Sequence, residues 1–111
     1  MAERATRTVE ALPPEWEVSR LAQRLREILP EFRARYHIDS ICLFGSYVRN
    51  EQRPDSDLDL LVTFSETPSL LGLVGAQQDL EEAIGVKVDL VMRSGLRPRF
   101  LRYVLREAVP L

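Results

Sequence analysis

Apolar residues recur near the start of the chain at Val18, Leu21, Leu25, Ile28, Leu29 and Phe32. Spacings of three, four and one place them on one side of a helix, so the pattern predicts an amphipathic helix over 15–35 with a bend at Pro30. At Ser40 the period changes. Ile41, Cys42, Leu43 and Phe44 form a short apolar run stopped by Gly45, as a buried strand would. A polar loop over 51–56 leads into Asp57-Leu-Asp-Leu-Leu-Val-Thr-Phe64, which reads as a second strand. Thr67-Pro68-Ser69 is helix-start chemistry, and the apolar positions from Leu70 to Ile84 follow at helical spacing until Gly85. A third strand is predicted over 86–92, and Pro98 opens a last helix that runs towards Pro110. The resulting order is helix, strand, strand, helix, strand, helix.

The 111 residues, 45% of them hydrophobic, fit one domain with one core. Pro13 and Pro14 break the chain, which assigns 1–13 to a loose N-terminal arm and 14–111 to the folded domain. Fifteen basic residues nearly balance seventeen acidic ones, so any affinity for polyphosphate has to be local. No run approaches the roughly 18 apolar residues of a membrane span, and no apolar stretch of signal-peptide length opens the chain, so a cytoplasmic protein with no membrane partner is expected.

Chemistry concentrates in Gly45-Ser46-Tyr47-Val48-Arg49 and Asp57-Leu58-Asp59. Residues two apart in a strand point the same way, so Asp57 and Asp59 converge while Leu58 and Leu60 face the core. Magnesium takes hard oxygen ligands and commonly sits between one or two carboxylates and substrate phosphates. Gly45 permits close backbone approach, the Ser46 hydroxyl and following amides can donate to phosphate oxygens, and Arg49 adds charge to the same cradle. Asp89, in the third strand, completes a carboxylate triad if that strand lies beside the second, able to hold a second metal or take a proton from an attacking hydroxyl.

Each piece alone reads as an ordinary turn or an alternating strand. Together they are less ordinary: Gly-Ser, ten residues and Asp-x-Asp has chance odds of about 10⁻³ over a chain of this length, at roughly 5–7% usage per specified residue. The combination, with Asp89 downstream, resembles the minimal nucleotidyltransferases of the DNA polymerase β superfamily over about residues 40–92. That resemblance implies an α/β (α+β) nucleotidyltransferase fold, a short mixed β-sheet flanked by helices. It also implies transfer from ATP, with Gly45 and Ser46 near the outer phosphates, Asp57 and Asp59 on magnesium, Asp89 as the third carboxylate and two ions in all. It further implies the antitoxin half of a toxin–antitoxin pair, which adds AMP to a tyrosine of a helical, RNA-cutting partner of the HEPN type. The family often has glycine after the arginine of this segment, where this chain has Asn50; asparagine tolerates the left-handed geometry that such a turn needs.

Two rival readings are a silent binding module that neutralises a helical partner by covering it, and a transferase acting on a small hydroxylated molecule. Intact Asp57, Asp59 and Asp89 favour an enzyme, and the absence of an added helical domain argues against a small-molecule acceptor pocket. The last helix, with Phe100, Leu101, Tyr103, Val104 and Leu105, is either core or a partner face. His37 is the only histidine, which excludes a histidine zinc cluster and assigns it to a helix end or loop. Cys42 reads as packing. Five arginines between 93 and 106 read as solvated helix charge, and direct nucleic-acid binding is not expected. Tyr47 lies either against the nucleotide base or beneath the turn.

Overall fold

The computed structural model describes residues 7–111; residues 1–6, part of the segment read as a loose arm, lie outside the described residues. Helix α1 (Glu17–Tyr36) carries the stripe of Val18, Leu21, Leu25 and Phe32 into the core. Pro30 lies within it without ending it. Packing on both sides of the proline holds the helix through the local penalty. His37 closes the helix in the left-handed region at φ 58°, a helix-end role as the sequence suggests.

Strands β1 (Ile38–Phe44) and β2 (Leu58–Phe64) pair antiparallel. Helix α2 (Leu70–Ile84) begins at Ser69, whose hydroxyl accepts from the Gly72 amide at 3.0 Å, and ends at Gly85 with φ 82°. It crosses over to β3 (Val88–Met92), which lies parallel to β2 as a strand–helix–strand connection requires. Helix α3 (Pro98–Glu107) follows. It stops earlier than the periodicity suggests, because Val109 and Pro110 form a two-residue strand, β4, paired with Leu43 and Cys42 of β1. Four strands in the order β3-β2-β1-β4, antiparallel and parallel together, make the expected short mixed sheet flanked by helices.

The sheet has two unlike faces. One meets α1 and α2 in the main core, where Leu43, Leu58, Leu60 and Val62 are fully enclosed. The other carries a smaller cluster of Phe44, Leu61 and Val104, with Cys42, Leu101 and Leu105 against it. Cys42 therefore packs, and burial pushes its thiol pKa up, away from reactivity.

The described part of the expected arm is not loose. Val9 and Leu12 sit three apart across a 3₁₀ turn (Val9–Ala11) and are buried in the main core, and Arg7 donates to the Val48 carbonyl at 3.2 Å. The prolines mark a change of direction, whereas burial of these two side chains decides where packing begins. None of the described helices is long and apolar enough to cross a membrane.

Candidate active site

The parallel register of β2 and β3 sets Leu58 beside Val88, Asp59 beside Asp89 and Leu60 beside Leu90. The leucines and the valine are buried in the main core, so alternation turns Asp59 and Asp89 to the opposite face, shared with Leu61 and α3. Asp57 lies one residue before β2 and is exposed. Its backbone is placed by the neighbouring Leu58 amide, which donates to the Lys87 carbonyl at 2.8 Å.

Gly45 ends β1 at φ 84° and ψ −159°, outside the region open to most residues. Chain geometry needs glycine there for a second reason: a Cβ would overlap the Asp59 carboxylate oxygen Oδ2 and lie 3.0 Å from Cγ. The turn and the second aspartate are thus in direct apposition. Ser46 starts the following 3₁₀ turn (Ser46–Arg49), with Tyr47 and Val48 buried below it. Tyr47, only 4% exposed, packs beneath the turn. Asn50 adopts φ 57° and ψ 39°, the left-handed geometry expected of it, and lets the Glu51 amide reach the Ser46 carbonyl at 2.9 Å.

Charge is concentrated here. Partial burial, then the negative charges of Asp89, Asp57 and Glu107, push the pKa of Asp59 up to about 6 against the opposing pull of Arg49. Such a set favours a cation. Hard oxygen donors fit magnesium, and the missing side chain at Gly45 lets one of them, Asp59, lie directly against the turn suited to phosphate. The carboxylates are neighbours rather than a ready-made shell: among the described residues no three or more acidic, histidine or cysteine side chains are gathered tightly enough to enclose an ion.

Arg49 adds its charge beside Asp59 and is itself engaged by two glutamates. Its Nε donates to Glu51 Oε1 at 3.0 Å and its Nη1 to Glu107 Oε1 at 2.6 Å, so carboxylates hold the guanidinium. Glu107 also accepts from the Gly45 amide at 2.8 Å through its other oxygen. Sequence spacing gave no sign of Glu107, which lies 62 positions from Gly45. Only the pairing of β4 with β1 brings it here.

Comparison with known proteins supports the same chemistry. Residues 25–111 match the nucleotidyltransferase domain family. The chain is 48% identical over 79 residues, covering 71% of it and 80% of its relative, to a protein adenylyltransferase, MntA, of Thermococcus cleftensis. A solved structure assigned to the minimal nucleotidyltransferases superposes with a TM-score of 0.68 at 40% identity, covering 97% of this chain and all of the other. A tri-AMPylated Shewanella oneidensis HEPN toxin in complex with its MNT antitoxin matches with a TM-score of 0.60, over 81% of this chain and 70% of that one. At 21% identity that last likeness speaks to the fold alone. The Gly-Ser turn packed on paired-strand aspartates, the mixed sheet and these relatives agree: the chain is a nucleotidyltransferase of the minimal nucleotidyltransferase family.

Proposed function

We propose that this nucleotidyltransferase transfers AMP from ATP, with magnesium, to a tyrosine of a HEPN-type helical toxin, and so acts as an antitoxin. The observation that carries the reading is the apposition of Gly45 and Asp59 with Asp89 at the same register: an anion-suited turn and a cation-suited carboxylate pair share one spot with no side chain between them. The adenylyltransferase relative, named for a protein acceptor, supports the acceptor class.

On this reading Ser46 and the amides of its turn orient the outer phosphates, and Gly45 keeps the backbone low enough for them to approach Asp59. Asp57, Asp59 and Asp89 would hold the magnesium ions, which when bound stabilise charge on the attacking and leaving oxygens. Asp89, exposed on edge strand β3, is open to an acceptor hydroxyl and on this reading takes its proton. Main-core packing behind Leu58 and Leu60 fixes the strand that presents these groups.

Mass spectrometry of the helical partner, incubated with this chain, ATP and magnesium, tests the proposal. Gain of AMP mass on a tyrosine with the wild type, and none with Asp57→Ala plus Asp59→Ala, is the expected result. An unmodified partner that is nonetheless silenced and co-purifies would replace transfer with neutralisation by covering. The stacked, exposed pair Phe100 and Tyr103 on α3, ring centres 6.2 Å apart, is the surface that favours this second reading.

A further inference from the structure

Glu107 bonds both ends of the turn that the sequence reads as a phosphate cradle, the Gly45 amide and the Arg49 guanidinium. Its own position is tightly determined. Val104, one turn earlier in α3, is buried in the small cluster, and Val109, two residues later, is buried and paired with Leu43. Extending the β1–β4 register by two residues sets position 107 opposite Gly45. A continuing ladder would offer a backbone carbonyl there. The chain is still helical at Glu107, so its side chain supplies the acceptor that the ladder lacks.

The carboxylate is 17% exposed and bridges its two donors, one through each oxygen. Arg49 in turn spans Glu107 and Glu51, both of which hold its guanidinium charged. The turn between Gly45 and Arg49 is therefore gripped at both ends from one point on the C-terminal helix. Charge-assisted hydrogen bonds of this kind are the stronger class and fix geometry as well as energy.

We propose that Glu107 is a positioning residue for nucleotide binding and transfer, locking the Gly45–Arg49 turn to α3, and that Arg49 acts through this lock rather than on a phosphate. The inference rests on the reading of the turn as the phosphate seat given under Proposed function. Loosening such a turn displaces the Ser46 hydroxyl and its neighbouring amides, and displacements of about 1 Å at a reacting centre can cost about a hundredfold in rate.

Glu107→Gln keeps the size of the side chain but sets an amide NH₂ against one of the two donors. The test compares the full chain as wild type, Glu107→Gln, Arg49→Gln and the double variant, by calorimetric titration with ATP and magnesium, transfer rate, and the NMR position of the Gly45 amide proton. The expected result is an upfield move of the Gly45 amide in Glu107→Gln, ATP binding or transfer weakened about tenfold or more, and a double variant no worse than the poorer single one. Glu107→Asp, which keeps the charge but is one carbon too short to span both donors, is expected to fall with Glu107→Gln and serves where the glutamine variant folds poorly. Wild-type-like binding and transfer in either folded variant, within twofold, would overturn the proposal. So would losses that multiply in the double variant, because they would make Arg49 an independent phosphate contact. A wild type that binds no ATP would sink both this proposal and the functional reading it rests on, whereas normal wild-type binding with unaffected variants removes the positioning role alone.

Discussion

The face of the sheet under α1 and α2 and the face under α3 are built from alternate residues of the same strands, and they do opposite things. Leu58, Leu60 and Val62 of β2 enter a closed apolar core, while Asp59 and Leu61 between them meet a partial cover that leaves the acidic end open. Burial on the first face supplies stability, at about 25 cal/mol per Å² of apolar surface removed from water. Crowding carboxylates on the second opposes it, since Asp59 is held half out of water among Asp57, Asp89 and Glu107. One strand thus spends its stabilising face to hold its reactive face in place, and neighbouring residues 59 and 60 should respond to substitution in contrary ways.

The largest expected effect breaks the acidic face alone. Asp59→Asn removes the carboxylate against which Gly45 is packed and should lower transfer about a thousandfold, the equivalent of the several kcal/mol that metal-held charge contributes to a transition state. Stability at pH 7 should stay level or rise, because a crowded charge has gone. A loss of folding comparable to the loss of activity, by urea denaturation, would contradict the division between the faces.

Leu60→Ala should do the reverse. Leu60 is fully buried, and truncating such a leucine costs about 2–5 kcal/mol, set by how far the cavity can collapse. Urea midpoints should fall accordingly, with transfer per folded molecule nearly unchanged at a temperature well below the melt. A loss of activity without loss of stability would mean that the apolar face tunes the site rather than simply carrying it.

A subtler comparison uses pH. The folded-state pKa of Asp59 is raised from an ordinary aspartate value to about 6, so the folded protein holds this proton more tightly than the unfolded chain. The associated stabilisation is complete below the unfolded pKa, near 4, and is lost as pH rises through about 6. In the metal-free protein the Tm difference between Asp59→Asn and wild type should therefore widen in favour of the variant from pH 4 to pH 7. Solvent screening of a half-buried group keeps that difference to a few degrees. Magnesium at pH 7 should narrow it by stabilising the wild type more than the variant, which keeps two of the three carboxylates.

The contrast between faces also explains which parts were legible in the sequence. Stripes such as Val18, Leu21 and Leu25, and the alternation around Leu58 and Leu60, are local consequences of a buried face, so the main elements could be read with ends off by one to three residues. The Gly45-Ser46 and Asp57-Leu58-Asp59 segments could be picked out as candidates because each lies in a short span, and the structure brings Gly45 against Asp59. Glu107 was not, since its role depends on the two-residue strand β4, whose pairing is non-local and too short to leave a period. For the same reason the bonds from Arg49 to Glu51 and Glu107 could not be seen. Val9 and Leu12 were masked by the prolines and charges around them, although three-residue spacing on a 3₁₀ turn is itself a local signal.

The smallest expected effect concerns Asn50, which stands at the junction of the acidic face and its loop. A non-glycine residue pays roughly 1–2 kcal/mol for left-handed backbone, and asparagine recovers part of that through its short polar side chain. Asn50→Ala should lower stability by about 1 kcal/mol, because φ 57° is kept by the Glu51-to-Ser46 backbone bond and the Ser46 carbonyl would lose its partner if the turn relaxed. Asn50→Gly, the residue common in the family, relieves the strain but adds freedom to the unfolded chain, so the two terms nearly cancel and the melting point should hold. Transfer should follow the same order, Gly equal to wild type and Ala slightly below it, because the turn is tied at Gly45 and Arg49 and loses only its trailing end. If Ala matched wild type in both measurements, the left-handed residue would be incidental to the turn, and the placement of Ser46 would rest on the grip of Glu107 alone.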